Sequence, residues 1–333
     1  MNPDNIDKIR LFVGPMSKEI VDVSIDYEKK TSHSLGLIPS RRQIEFQGGY
    51  VNNWKTEEFT QYIAEKNSNI TLVRDHGGPG QGSNPDDGLE SLRHDIHSGF
   101  KFLHIDPWKT VNSIEAGIQK TSNIINYCCN ISDTIDFEVG TEESIFPYSP
   151  DDLEHILAKL KMILGDKFNR IKYGVVQSGV KISGTKNIGN FDPKRLNHMT
   201  QICRHYNLIS KEHNGDYLTT SEIGQRVNQG LDCINIAPEF GVAQTKILLE
   251  GGLVSLSDAL RVCKEVNKFS KWIPEEHKSV PPDRMIVEVS GHYCFTKEPF
   301  KSAISQIKEK LSMHLFERFD EIYRAWDTLD DKN

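Results

Sequence analysis

The chain has 333 residues, of which 37% are hydrophobic and 26% charged, with a formal net charge of -7 and a mean hydropathy of -0.49. This composition is typical of a globular protein and excludes a disordered or membrane-embedded chain. The acidic balance gives no reason to expect nucleic acid as a partner, and the N-terminus has no apolar signal core, so we expect a cytoplasmic protein. The six cysteines form no CxxC pair and are expected to be free thiols.

Short strand-like segments alternate with helix-like segments along the chain. Eight strands are predicted, at 9–15, 43–49, 70–77, 100–107, 135–142, 171–179, 208–216 and 233–241. Segments with helical periodicity lie between them, such as "SPDDLEHILAKLKMIL", which opens with a capping serine, a proline and acidic residues. Eight strand–helix units predict an α/β fold, a closed (β/α)8 TIM barrel. No GxGxxG follows the first strand, which argues against a dinucleotide-binding sheet.

The end of the chain has a different character. After about residue 270 a proline-containing stretch precedes further helical segments. We therefore expect the barrel to span 1–270 and a C-terminal extension, 271–333, to pack on it, ending in a disordered "DDKN" tail.

Polar side chains follow the predicted strands, and in a TIM barrel the active site forms where the strands end. The third strand ends with Asp75 and His76, and each of the next strand ends adds acidic, amide or imidazole groups: His104, Asp106, Glu138, Glu142, Gln177, His213, Asp216 and Asn235. Any one of these could be an ordinary surface or structural residue. Together, converging carboxylates and imidazoles are what a divalent metal site or acid–base chemistry requires.

These residues lie in motifs that carry a family resemblance. In chain order the motifs are "FQGGY", "RDHGGPGQ", "FKFLHIDPW", "VGTEE", "VVQSGVK", "EHNGDYLT" and "PDRMIV". The sequence resembles the class II (metal-dependent) ketose-bisphosphate aldolase superfamily. It looks most like the tagatose-bisphosphate aldolase Z-type subunit, historically called non-catalytic, over nearly the whole chain.

The resemblance implies roles for the residues at the strand ends. Asp75 would be the catalytic base, and His76 and His213 would bind a divalent metal, zinc with manganese or magnesium as alternatives. Catalytic relatives have a further histidine where this chain has Gln177, so the third ligand is open among Glu142, Asp106 and Glu138. Glu142 or Asp216 would serve the second proton transfer.

Substrate binding is predicted for a set of residues near the same strand ends. The glycines from 77 to 82 could present backbone N–H groups to a phosphate, or form a mobile lid or a tight turn. The resemblance adds an asparagine after the eighth strand and an arginine near the C-terminus. The predicted substrate-binding set is Gln43, Gly77, Gly78, Gln177, Asn235 and Arg284.

Two functions are compatible with these residues, and a third is not. The first is retro-aldol chemistry on a ketose or ketose phosphate, as a C4 epimerase or a class II aldolase of the tagatose-bisphosphate type. The second is a non-catalytic subunit that stabilises a separate aldolase polypeptide. A kinase is excluded because "GGPGQG" lacks the GK[ST] ending of a P-loop. A homo-oligomer is expected, since barrels of this superfamily commonly pair.

Overall fold

The computed structural model describes residue 6, residues 8–66 and residues 68–330, with side chains as far as residue 327. In this part of the chain eight parallel strands close into a barrel, which confirms the predicted TIM barrel. The strands are β1 (Leu11–Val13), β2 (Leu35–Leu37), β3 (Thr71–Gly77), β4 (Phe102–Ile105), β5 (Asp136–Val139), β6 (Ile171–Val176), β7 (Ile182–Ser183), β8 (Lys186–Asn187), β9 (Ile209–Glu212) and β10 (Cys233–Ile236). All but β7 and β8 belong to the barrel, in which β10 pairs with β1.

Helices cover the outside of the barrel. They are α1 (Lys18–Lys30), α2 (Thr56–Glu65), α3 (Leu89–His97), α4 (Ile114–Ile131), α5 (Pro150–Leu164), α6 (Pro193–His205), α7 (Thr220–Val227), α8 (Pro238–Glu250), α9 (Leu256–Val266), α10 (Asp283–Ser290), α11 (Phe300–Ala303) and α12 (Lys308–Asp330). The predicted start of α5 is confirmed, since Ser149 accepts from the Asp152 amide and Pro150 is the first helical residue. None of the described helices is long and apolar enough to cross a membrane.

The second barrel strand was predicted in the wrong place. Residues 43–49 form turns, and the strand is the short segment Leu35–Leu37. Gln43 closes the turn, because its side-chain oxygen accepts from the Ser40 amide at 2.6 Å. In the true strand, a Cβ on Gly36 would lie 2.2 Å from the Phe12 ring. Only glycine fits there, and glycine hides a strand from a reading based on propensity.

The barrel interior is filled rather than hollow. One end holds an apolar cluster in which Phe12 and Phe102 each meet Tyr173 edge to face, with ring centres 5.7 and 5.4 Å apart. The buried ammonium of Lys211 lies 3.6 Å from the centre of the Phe12 ring and 2.7 Å from the Glu138 carboxylate. Because this plug closes the barrel, polar side chains at the other end can face only the C-terminal mouth.

The hairpin of β7 and β8 lies between β6 and β9 and makes contacts beyond the barrel. The Gly184 amide donates to the Trp272 carbonyl at 2.7 Å. The Asn187 side chain donates to the carbonyls of Asn214 and Asp216 at 3.1 and 3.2 Å. The hairpin thus ties the loop after β9 to the segment that begins the C-terminal extension.

The extension packs on the barrel helices. Helix α10 contacts α8 and α9, while α12 contacts α1, α7 and α8. Arg318 of α12 donates to Glu239 at 2.6 Å and to the Leu218 carbonyl at 2.7 Å. Helix α12 continues to Asp330, and the rest of the predicted disordered tail lies outside the described residues. All six cysteines are free thiols, as predicted.

Candidate metal centre

Strand β3 ends with an irregularity that brings two consecutive side chains to the mouth. Its pairing with β4 shifts register between Arg74 and Gly77, and His76 has a φ of 46°. Consecutive side chains of a regular strand point to opposite faces, whereas a bulge re-aims one of them. Asp75 and His76 therefore approach each other, with 3.7 Å between Oδ2 and Nε2. A positive φ at a non-glycine residue costs roughly 1–3 kcal/mol and is concentrated at functional sites.

Three imidazoles surround the Asp75 carboxylate. Nδ1 of His104 and Nδ1 of His213 lie 3.5 and 3.6 Å from Asp75 Oδ1. With His76, the three ring centres are 4.8 to 5.5 Å apart. Asp75 Oδ1 is buried and has no hydrogen-bond partner among the described residues. A buried carboxylate oxygen without a donor is unfavourable unless a cation or a substrate proton binds it.

The outer nitrogen of each imidazole has an oxygen acceptor. Nδ1 of His76 lies 2.5 Å from Asp106 Oδ2, and Nε2 of His213 lies 2.6 Å from Glu138 Oε1. Nε2 of His104 lies 3.0 Å from the Gly140 carbonyl. An acceptor keeps the proton on the outer nitrogen, so the inner nitrogen carries the lone pair that binds metals. The His76 amide, 3.2 Å away, donates to this lone pair on His104.

The separations around Asp75 fit a divalent metal. Bonds of about 2.0–2.1 Å in a tetrahedral zinc site place neighbouring ligand atoms about 3.4 Å apart. The inner nitrogens lie 3.5 to 3.7 Å from the Asp75 oxygens. Two sets of residues, which share His104, could each hold a metal ion. Within each set the ligand atoms lie within 4.8 Å of one another, and the sets are Asp75–His76–His104 and His104–Glu138–His213. Either set could hold one ion, and His104, which both sets share, would exchange its hydrogen bond from the His76 amide for the metal.

The charged groups of this cluster shift one another's pKa values. Burial alone would raise the pKa of Asp75, but the charge of His76 and contacts with His104 and His213 hold it well below its usual range. Burial opposes protonation of His76, yet Asp75 and Asp106 raise its pKa to about 10. A divalent cation would therefore replace the proton on the inner nitrogen of His76, since metal and proton compete for the same lone pair.

The glycine-rich loop after β3 is held in place by hydrogen bonds from Arg41. The buried Arg41 donates to the Gly78 carbonyl at 2.8 Å and to Asp86 Oδ1 at 2.8 Å. Gly78 has a φ of 127°, which requires glycine. A Cβ on Gly77 would lie 2.9 Å from the His104 carbonyl. The loop is thus an anchored turn and not a free lid.

A hydrogen-bonded chain runs from this loop to the cluster. Lys109 Nζ donates to Gln81 Oε1 at 2.7 Å. Gln81 Nε2 donates to Asp106 Oδ2 at 2.8 Å, and the same Asp106 oxygen meets His76. Asp106, predicted as a metal ligand, therefore lies on the outer nitrogen of His76, where it orients the ring.

Glu138 has the corresponding position behind His213. Its second oxygen accepts from Lys211 at 2.7 Å, and both partners of this ion pair are fully buried. Burial would raise the pKa of Glu138, but Lys211, His104 and His213 hold it well below its usual range. Glu138 is thus an ionised acceptor that orients His213.

The other two predicted acidic residues lie outside the ring of histidines. Strand β5 ends at Val139, so Glu142 stands in the following loop, where it accepts from the Asn214 side chain. Asp216 is buried, and its Oδ1 accepts from the Ala237 and Glu239 amides at 3.0 and 2.8 Å, at the start of α8. Burial and the charge of Glu239 raise the pKa of Asp216 to about 8.

Two of the predicted substrate-binding side chains form hydrogen bonds with the protein backbone. Gln43 donates to the Pro15 carbonyl at 3.0 Å. Gln177 donates to the Thr141 carbonyl at 2.9 Å and accepts from the Tyr148 amide at 3.1 Å. In the structure both side chains hold loops together at the mouth.

The remaining two differ from each other. Asn235 is 6% exposed, and neither polar atom of its side chain has a partner among the described residues, so it can still bind a ligand. Arg284 lies on α10, exposed, and donates to Glu288 at 2.7 Å and Glu250 at 3.4 Å. The structure does not bring Arg284 together with the cluster.

The histidine that sequence analysis left without a role is His104. It pairs with Glu138 across β4 and β5, and it is fully buried. A usable signal was present: Phe102, His104 and Asp106 alternate and so share one face of the strand. That face points into the barrel.

Comparison with known proteins supports the fold. No known family matches the sequence, and no curated protein is significantly similar to it. Among solved structures, a probable tagatose 6 phosphate kinase from Sinorhizobium meliloti has a TM-score of 0.71 at 14% identity, over 91% of this chain and 87% of that chain. At this identity the likeness shows the fold alone.

Two further structures share the barrel. The fructuronate-tagaturonate epimerase UxaE from Cohnella laeviribosi has a TM-score of 0.60 at 11% identity, over 96% of this chain and 79% of that chain. A fructose-bisphosphate aldolase from Campylobacter jejuni has a TM-score of 0.57 at 12% identity, over 95% and 90%. The predicted membership of the Z-type family stays a prediction.

Proposed function

We propose that this protein is a metal-dependent enzyme that performs retro-aldol chemistry on a ketose or ketose phosphate, as a C4 epimerase or a class II aldolase. The observation that carries the proposal is the convergence of three imidazoles on Asp75, each with an acceptor on its outer nitrogen. A divalent cation there, zinc by its nitrogen ligands or else manganese or magnesium, would supply a Lewis acid for the C2 carbonyl.

The chain's own residues would carry the protons. Asp75 is ionised and faces the cluster, so it would accept the C4 hydroxyl proton as the C3–C4 bond breaks. Asp216, with a pKa of about 8, can hold a proton at neutral pH. Asp216 or Glu142 would therefore serve the opposite face of the aldehyde. After the aldehyde turns, re-formation of the C3–C4 bond on its other face, with a proton donated to the C4 oxygen, would give epimerisation. Escape of the aldehyde, with a proton delivered to C3 of the remaining fragment, would give cleavage.

The names of the structural neighbours support this chemical class. They include an epimerase of ketose-derived sugar acids, a fructose-bisphosphate aldolase and the YdjI aldolase of Escherichia coli K12. One neighbour is described as a kinase. This chain has no P-loop, which makes phosphate transfer from a nucleotide a poor candidate.

The test measures metal and turnover on one preparation. Purified protein is analysed for bound metal, then assayed with fructose 6-phosphate, tagatose 6-phosphate, their 1,6-bisphosphates and fructuronate, with and without chelator. We expect about one metal per chain and chelator-sensitive conversion. Asp75→Asn should abolish turnover, while Asp133→Asn, an exposed carboxylate before β5, should not. Full turnover in Asp75→Asn would rule out Asp75 as the base.

No structural observation favours the stabilising-subunit alternative. A subunit that covers another polypeptide needs a broad apolar face. The exposed large apolar side chains of the described residues are scattered over α5, the residue after β8, the α8–α9 turn, the start of α9, the segment before α10, and α12. They are Met162, Ile163, Ile188, Leu253, Leu256, Val280 and Met313. If neither metal nor turnover is found, even after zinc or manganese is added, the stabilising-subunit function would be favoured instead.

A further inference from the structure

Three exposed cations lie at the entrance to the barrel. Arg42, Lys109 and Lys271 are exposed, and none forms an ion pair within the described part of the chain. The protein as a whole carries a net charge of -7. A group of unpaired cations in an acidic protein is a local site of positive potential, and such a site attracts anions.

Two of these cations flank the same turn of the glycine-rich loop. Arg42 Nε lies 3.4 Å from the Gly82 carbonyl, and Lys109 Nζ lies 2.7 Å from Gln81 Oε1. Because Gln81 and Gly82 are consecutive, the guanidinium and the ammonium are held on one short stretch of loop.

A row of aromatic side chains connects Lys271 to the backbone of Arg42. Lys271 Nζ lies 4.1 Å from the centre of the Trp272 ring, and Trp272 Nε1 donates to the Tyr293 hydroxyl at 3.3 Å. The rings of Tyr293 and Tyr50 are 4.7 Å apart. The Tyr50 amide donates to the Arg42 carbonyl at 3.1 Å. The C-terminal extension thus places Lys271 on the same side of the mouth as the glycine loop.

The electrostatics agree with this geometry. Partial desolvation and the charge of Arg42 lower the pKa of Lys109, although the carboxylates of Asp106, Glu142 and Asp75 act in the opposite direction. Desolvation, Arg42 and Lys109 lower the pKa of Lys271 to about 8 against the opposing effect of Glu142. Cations that disfavour one another's charge lie close together, and a bound anion would relieve that repulsion.

This group of cations is connected to the metal centre. Lys109 is three hydrogen bonds from His76, through Gln81 and Asp106. Glu142 interacts electrostatically with both His76 and Lys271. An anion bound by the cations would therefore lie beside the site proposed for the ketose carbonyl.

We propose that Arg42, Lys109 and Lys271 bind an oxyanion on the substrate, and that this group is a phosphate ester rather than a sugar carboxylate. A phosphate ester carries about -1.5 to -2 charges at neutral pH, against -1 for a carboxylate, and so suits three cations better. The planar guanidinium of Arg42 adds bidentate donors. The proposal rests on the proposed function for its substrate, and it gives these three residues the role predicted for Arg284.

The binding test uses inorganic phosphate as the probe. Calorimetric titration of the metal-loaded protein should show phosphate binding, weakened about tenfold in each of Arg42→Gln, Lys109→Gln and Lys271→Gln, and further in the Arg42→Gln/Lys271→Gln double variant. Lys101→Gln, an exposed lysine at the other end of β4, is the control and should bind phosphate like the wild type. Acetate should bind at least about tenfold more weakly than phosphate.

Each outcome decides a separate point. No phosphate binding, or equal weakening in Lys101→Gln, would overturn the proposed anion site. Acetate binding as tightly as phosphate, with the same three variants affected, would assign the site to a sugar carboxylate. Intact phosphate binding without turnover of any sugar would contradict the proposed function and leave the anion site standing. If turnover is found, the variants should raise KM for fructose 6-phosphate and leave KM for fructose unchanged.

Discussion

Asp106 Oδ2 lies 2.5 Å from Nδ1 of His76, while Nε2 of the same ring faces Asp75. In Asp106→Asn an amide N–H can face Nδ1, which favours the tautomer with the proton on the metal side. We expect metal affinity to fall roughly 10–100-fold, as for other partners of metal-binding histidines. Competition against a chelator measures it, with Asp133→Asn as control. An unchanged dissociation constant would mean that Asp106 does not orient the ring.

The third ligand can be decided by metal analysis of two variants. His104→Ala removes an inner nitrogen 3.5 Å from Asp75, whereas Glu142→Gln changes a carboxylate that bonds Asn214 in the neighbouring loop. We expect His104→Ala to lose most of its metal and Glu142→Gln to keep it. Elemental analysis per mole of chain distinguishes them, and the reverse pattern would restore Glu142 as the ligand.

The buried pair of Lys211 and Glu138 sets up a stability test. Lys211→Met leaves the Glu138 carboxylate charged in the barrel interior without its partner, which costs about 3–5 kcal/mol of unfolding free energy. Replacing both residues, as Lys211→Met/Glu138→Leu, should recover most of that loss. Metal affinity should fall in the double variant, because there His213 has lost its acceptor Glu138. Urea unfolding and chelator competition measure the two effects separately.

Asp216 makes stability depend on pH. Its pKa is about 8 in the folded protein, against the ordinary value of 3.8. Between these values the folded state binds more protons than the unfolded state, so the contribution of this group is fully present below about pH 4 and is lost as pH rises through about 8. Asp216→Asn should flatten this part of the curve of unfolding free energy against pH. An identical curve in the variant would show that folding does not raise the pKa of Asp216.

Local pattern was enough for some parts of the molecule. The segment "ITLVRDHG" predicts both β3 and the polar pair at its end, because an apolar run that stops at Asp75 and His76 is a strand leaving the core. The strand at Leu35–Leu37 was missed because its central glycine packs against Phe12. In such a case the reason for the residue lies in a distant neighbour.

The site residues that the sequence did not predict were missed for the same reason, namely that their role depends on distant neighbours. His104 alternates with Phe102 and so resembles one more core residue until closure of the barrel brings His213 beside it. No pattern in the sequence distinguishes Arg42 and Lys271 from other charged surface residues. Only the fold of the extension brings them to one entrance.

The β7–β8 hairpin has a consequence for how the molecule is made. All barrel strands have been synthesised once Ile236 is in place, but the hairpin also needs the Trp272 carbonyl as its second anchor. The loop that bears Asp216 gains a further support, Arg318, only when α12 is complete. The loops at this end of the barrel therefore gain their last contacts only after the C-terminal part of the chain has been made.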